Sequence, residues 1–185
     1  MAKPVRRVVT GINAQGRSCV LSDGDGTVTL GTKTSPVFLT ELWKTTQAPA
    51  EDVSLNGADR DSDGWTDPVE GPIVIAPGPT GTIFRICEFP PQIEVPAEEW
   101  AAAFEAMGQP LAEGADPAMH ATDTVDYTVI LEGEIWAKLE NGEVLLRPGD
   151  AIVQRGTNHA WENRGDVSCR FVAVLVGARP RRSSG

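Results

Sequence analysis

From residue 119 onward the chain alternates short apolar runs with turn residues. Val125–Leu131, Ile135–Leu139, Val144–Leu146, Ala151–Gln154, His159–Asn163 and Ser168–Val176 have the length and β-branched content of strands. The turns between them carry the residues that tight reversals need: Glu132-Gly133, Asn141-Gly142, Pro148-Gly149-Asp150, Arg155-Gly156-Thr157 and Arg164-Gly165-Asp166. Short antiparallel strands at this spacing predict a sandwich or barrel. Upstream, Val8-Val9-Thr10, Ser18–Leu21 and Val37–Trp43 read as further strands, the second ended by Asp23-Gly24-Asp25-Gly26. Gly81–Phe89 is a strand stopped by Pro90-Pro91. One helix is expected between Pro96 and Met107, with proline at its start, acids in its first turn and Gly108 at its end. Trp100, Phe104 and Met107 recur there at helical spacing and read as a packing face.

Composition narrows the picture. A chain of 185 residues is expected to form one domain with trimmings. Nineteen glycines and fourteen prolines favour strands and turns over long helices. A net charge of -10 repels a phosphate backbone, so nucleic acid is not an expected partner. Cys19, Cys87 and Cys169 are distant from one another and lack metal-ligand spacing, and each is expected as a buried, reduced thiol. No apolar run approaches a membrane span and no apolar stretch follows the N-terminus. A soluble, cytoplasmic protein is expected, with no membrane partner.

Both histidines of the chain, His120 and His159, fall in the strand-rich part. If residues 120 to 131 form one strand, His120, Thr122, Thr124 and Asp126 share a face. His159, Trp161 and Asn163 share a face of a later strand. Were both faces to look into one barrel, His120, Asp126 and His159 would converge. Two imidazoles and a carboxylate form a facial triad with open positions, suited to a divalent Fe, Mn, Ni or Zn ion. The same three groups in an apolar pocket also suit metal-free acid–base chemistry, because burial moves both kinds of pKa. A third alternative is a ligand-binding barrel without chemistry. Trp161 is a candidate for stacking on a planar substrate. Arg85, a lone charge in an apolar strand, is a candidate clamp for a substrate carboxylate, and Gln154 and Thr122 are further pocket candidates. Tyr127 is expected to face outward.

These residues carry a family resemblance. The chain resembles a single-domain cupin, a conserved barrel of the jelly-roll superfamily. His120 takes the first position of the first cupin motif, Thr122 stands where its second His would be, Asp126 replaces its Glu, and Gly133 is its closing glycine. Gly156, His159 and Asn163 fit the second motif, with Pro148-Gly149-Asp150 as its lead-in and Arg155 near the place of its proline. The resemblance covers roughly residues 80–177. It implies an all-β fold, an antiparallel cupin jelly-roll barrel with an N-terminal strand extension and one short helix. The expected division is 1–79 for the extension and an acidic surface loop, 80–178 for the barrel, and 179–185 for a basic tail. The favoured function is a metal-dependent enzyme on a small carboxylate or phenolic substrate, with dioxygenase, decarboxylase or lyase chemistry and His120, Asp126 and His159 as ligands. The alternatives are a His/Asp isomerase or dehydratase and a non-catalytic binding cupin. Exposed N-terminal edge strands of this kind pair with a partner subunit, so a homodimer is expected.

A second motif lies in the acidic loop. Asp59, Asp61, Asp63, Gly64 and Glu70 match the spacing of a calcium-binding loop, and Asp67 supplies a ninth-position oxygen. Pro68 and Gly71-Pro72 forbid the helix that would follow in a helix–loop–helix site. A solvated acidic loop is the competing expectation.

Overall fold

The computed structural model describes residues 3–31, 34–50, 67–91, 95–109, 116 and 118–179. Eleven strands and one helix make up these residues: β1 (Arg6–Ile12), β2 (Ser18–Asp25), β3 (Thr29–Leu30), β4 (Phe38–Thr45), β5 (Thr82–Phe89), α1 (Ala97–Ala106), β6 (Thr124–Glu132), β7 (Ile135–Leu139), β8 (Gly142–Leu146), β9 (Ala151–Arg155), β10 (His159–Glu162) and β11 (Cys169–Gly177). β1 and β2 pair as a hairpin, β10-β7-β8 form a three-stranded sheet, and β3-β4-β5-β11-β6-β9 form a six-stranded sheet. All pairings are antiparallel. The two larger sheets share one apolar core that includes Ile83, Ile130, Ile135, Ala137, Phe171 and Trp161.

Strand parity decides which side chains reach that core. Along β11 Phe171, Ala173 and Leu175 are buried, while Val172, Val174 and Val176 alternate outward and are half-exposed. The glycine after β6 is forced by geometry. Gly133 has φ +67, and a Cβ there would stand 2.5 Å from the Ser168 carbonyl oxygen. α1 ends where expected, with Gly108 at φ +78 and its N–H on the Glu105 carbonyl. Its Phe104 and Met107 are buried in the core.

Two parts of the chain differ from the sequence expectation. β2 continues through Asp23-Gly24-Asp25, because β1 supplies a partner for each of these residues and Arg6 pairs with Asp23 at 2.7 Å. β3 and β4, read as part of an extension, are strands of the six-stranded sheet, and β4 pairs along β5. The hairpin of β1 and β2 is tied to the rest by Lys3, whose ammonium sits 2.7 Å from Glu132, and by Arg7 on Asp67. No helix of the described residues is long and apolar enough to cross a membrane.

Of the three cysteines, Cys87 and Cys169 are buried, and burial pushes both thiols up to about 12. Cys19, on the two-stranded hairpin, is only partly buried, contrary to the expectation for it. The calcium-loop residues Asp59, Asp61 and Asp63 lie outside the described residues. Glu70 is exposed, and the Asp67 carboxylate is occupied by Arg7 and the Val69 N–H.

Candidate active site

His120 and His159 are brought together by their backbones. They form an isolated antiparallel bridge in which each N–H meets the other's carbonyl oxygen at 2.9 Å. Residues directly opposite in such a pair project side chains to the same side. The rings accordingly lie 4.4 Å apart between centroids, tilted by 51°. Nδ1 of His120 is 3.2 Å from the Ala118 carbonyl oxygen, and Nδ1 of His159 is 2.8 Å from that of Thr157. A carbonyl only accepts, so both Nδ1 atoms carry the proton and donate it. In the neutral ring each Nε2 then holds a lone pair. Burial lowers the pKa of His120, while burial and the neighbouring His120 take His159 down to about 3. Both rings are therefore neutral at ordinary pH.

The two rings border a cavity of about 90 Å³ between the sheets and α1. Its lining includes Thr122, Asp126, His120, His159, Gln154 and Arg85. Trp161 lines it too, edge-on to His159 at 5.9 Å and packed on Phe171 at 4.9 Å. Phe104 reaches down from α1 to within 4.9 Å of the His120 ring. The helix stripe read as packing is thus also part of the cavity wall.

Asp126 and Gln154 face each other across the β6–β9 ladder. Burial raises the Asp126 pKa, opposed by a hydrogen bond from Thr124 and the charge of Arg85. Asp126 Oδ1 and Gln154 Nε2 are buried without hydrogen-bond partners. Thr122 and Thr124 share a hydroxyl contact of 2.7 Å. β6 begins only at Thr124, so the single strand expected from His120 does not form. His120 is instead held by its bridge to β10.

Arg85 is buried in the cavity wall, with its side chain 4% exposed. Its Nη2 lies 2.6 Å from Glu41 and donates to the Val74 carbonyl at 2.6 Å, while Nη1 donates to that of Ile75 at 3.4 Å. The expected carboxylate clamp is therefore already neutralised from inside the fold by Glu41, and its Nε has no hydrogen-bond partner. Glu41 was not singled out in the sequence. Its signal was a lone acid in an apolar strand, directly opposite Arg85 in the β4–β5 register. Asn163 faces away from chemistry. Fully buried, its amide donates to the Phe89 and Val167 carbonyls, and its oxygen accepts from Gly165.

The expected three-ligand metal set is not assembled. Among the described residues, no three His, Cys, Asp or Glu side chains converge to share one ion. The His120 and His159 rings are adjacent, but Asp126 does not complete a triad with them, and Thr122 stands where the family has another histidine.

The comparisons with known proteins agree with this architecture. The cupin-domain family Cupin_2 matches residues 109–175. The cupin-domain-containing oxidoreductase fogC of Aspergillus ruber is 31% identical over 181 residues, which cover 93% of this chain and 72% of that protein. The chain belongs to the cupin family. A shorter match to this cupin comes from phomopsin biosynthesis cluster protein C' of Diaporthe leptostromiformis, 45% identical over 74 residues. That match spans 39% of this chain and 39% of the relative, so the cupin corresponds to about two fifths of that protein's length. Among solved structures, a putative ethanolamine utilization protein of Salmonella typhimurium aligns with 96% of this chain and 100% of its own, at TM-score 0.44 and 10% identity.

Proposed function

We propose that this cupin is an enzyme that moves protons on a small oxygenated organic molecule bound beside His120, His159 and Asp126. The observation that carries the reading is the opposed electrostatics of these groups in one apolar cavity. The histidines are neutral, with Nε2 lone pairs that accept a substrate hydroxyl. Asp126 is a stronger base than a surface aspartate, because burial raises its pKa. A carboxylate of raised pKa near a bound C–H or O–H group suits general base catalysis. Isomerisation and dehydration are the reaction classes that need nothing further.

Deuterium exchange tests this. In D2O with a chelator present, the protein is expected to wash deuterium into C–H bonds adjacent to carbonyl groups of small hydroxyketones and keto acids, followed by proton NMR. Asp126→Asn, which keeps the volume and removes the base, is expected to slow the exchange by roughly a hundredfold. Washout that survives Asp126→Asn, or none in any member of the panel, would defeat the reading.

A second reading keeps a divalent Fe, Mn, Ni or Zn ion on the two imidazoles, with dioxygenase, decarboxylase or lyase chemistry. The oxidoreductase name of the Aspergillus ruber relative supports it. One equivalent of metal in chelator-free protein, lost in His120→Ala/His159→Ala, and activity only with that metal, would favour it over the first.

The homodimer belongs to the same proposal. Phe84, Val174, Tyr127 and Val153 form one row across β5, β11, β6 and β9 on the outer face of the six-stranded sheet. Phe84, Tyr127, Val129, Leu131 and Val153 are exposed there. An apolar face of this kind is a subunit-contact candidate. Sedimentation is expected to give a dimer for the natural chain and a monomer for Tyr127→Asp/Val153→Asp; a natural chain that sediments as a monomer removes this part.

A further inference from the structure

Two polar side chains stand opposite one another on the inner face of the six-stranded sheet. Asp126 of β6 and Gln154 of β9 are direct partners in the antiparallel ladder. Residues so placed carry their Cβ atoms about 4.5–5.5 Å apart on one face of a sheet. Burial shows that this face is the inner one. Thr124, Thr128 and Ile130 share the Asp126 parity on β6 and are buried, and Gln154 is 4% exposed. Both Asp126 and Gln154 line the cavity. Asp126 Oδ1 and Gln154 Nε2 are each buried without a hydrogen-bond partner. An acceptor and a donor on neighbouring positions therefore do not bond to each other. Polar side chains buried to this degree nearly always have partners, and an unmet pair in a cavity wall calls for an occupant that meets both.

We infer that Asp126 and Gln154 form a site for the edge of an amide group. The amide N–H donates to Asp126 Oδ1, and the amide C=O accepts from Gln154 Nε2. A lactam or a primary carboxamide carries a donor and an acceptor side by side on one rigid, planar edge. The carboxylate and carboxamide heads of Asp126 and Gln154 present the complementary order. Other ligand groups match less well. A ketone would leave Asp126 Oδ1 unmet. A carboxylate would set one of its oxygens against that of Asp126, and an ammonium would leave Gln154 without an acceptor. A hydroxyl can donate and accept, but only if both bonds converge on one oxygen. The amide edge takes two separate, parallel bonds.

The rest of the wall sets what carries the amide. Phe104, Met107, Trp161 and Phe171 bound the same space of about 90 Å³ and are apolar. The ligand class is accordingly a small lactam or carboxamide with an apolar body. The inference rests on the proton-transfer reading only for placing a ligand in this cavity. It uses the Asp126 oxygen as a hydrogen-bond acceptor and not as a base.

The test uses three five-membered rings of similar size: 2-pyrrolidinone, cyclopentanone and cyclopentanol. The first offers a donor and an acceptor on separate atoms, the second an acceptor alone, and the third both on one oxygen. Binding to the full chain is followed by the indole resonance of Trp161 and the side-chain amide resonance of Gln154. 2-Pyrrolidinone is expected to shift both resonances and to bind about tenfold more tightly than either of the others. Gln154→Leu, followed by the Trp161 indole, is expected to remove that preference, with amide dispersion confirming that the variant is folded. Binding of the ketone or the alcohol as tightly as the lactam, or binding of none of the three, overturns the amide site. So does a preference that persists in folded Gln154→Leu. Lactam preference without deuterium washout from the hydroxyketones and keto acids keeps the amide site and defeats the proton-transfer reading. Washout without lactam preference does the reverse.

Discussion

Glu41→Leu is expected to destabilise the protein by about 3–5 kcal/mol in urea unfolding, the largest effect of any single substitution considered. Glu41 and Arg85 are 2% and 4% exposed and lie 2.6 Å apart. Burial raises the Glu41 pKa and the Arg85 charge pulls it back, so the pair is held together against its own desolvation. Removing the acid leaves a guanidinium that cannot lose its proton, enclosed beside the cavity with only the Val74 and Ile75 carbonyls to meet it. The cost comes from that stranded charge rather than from a lost bond. The double variant Glu41→Leu/Arg85→Met removes both charges at similar volume, and is expected to recover most of the loss. If the double variant were no more stable than the single one, the ion pair would be a net stabiliser and the argument from desolvation would fail.

The same pair shows what could be read from the amino-acid order. Alternation placed β6, β7, β9, β10 and β11 within a residue or two, because each strand has one face in the core and turn glycines at its ends. His120, Asp126, His159, Gln154, Thr122 and Trp161, all candidates from the sequence, line one cavity. What parity cannot supply is the distance between strands that are far apart in the chain. His120 and His159 meet through a two-residue bridge that no local pattern announces. Asp126 shares the cavity yet does not join them around one ion: β6 starts four residues after His120, so the two do not lie on one strand. Arg85 looked available for a substrate because its partner lies on a strand more than forty positions earlier. That strand was read as part of an extension, and its pairing with β5 makes it a wall of the site. Cupin membership was legible in the spacing of Gly133, Gly156, His159 and Asn163, and two of these are structural. Gly133 has no room for a Cβ, and Asn163 closes the β10–β11 turn.

Acid should weaken this fold well before its carboxylates titrate. His159 is neutral in the folded chain, with its pKa driven from 6.5 to about 3 by burial and by the neighbouring His120. The unfolded chain takes up a proton near pH 6.5 and the folded chain does not, so the unfolded state binds more protons below that pH. Stability from this group is complete above pH 6.5 and falls as the pH drops toward 3. Between pH 7.5 and 4.5 the loss from His159 alone comes to about 3 kcal/mol. His120 is lowered as well and acts in the same direction. Asp126 and Glu41 act oppositely, because raised carboxyl pKa values favour the folded state as pH falls through them. Asp116 is lowered by the Ala118 N–H and by Lys138, Asp67 is lowered by Arg7 and the Val69 N–H against its burial, and Glu132 and Glu143 are lowered by Lys3 and Arg164; these carboxylates lose their contributions only as the pH falls below the ordinary carboxylate range. A difference measurement therefore isolates the histidine. In chelator-treated protein, urea unfolding at pH 7.5 and 4.5 is compared with that of His159→Phe, which keeps a ring in the cavity and cannot titrate. The natural chain should lose about 3 kcal/mol more than the variant across that interval. An equal loss in both would mean that His159 takes up its proton without leaving the folded state. Its Nε2 would then face water rather than a dry cavity, and the acceptor role assigned to it would lose its physical basis.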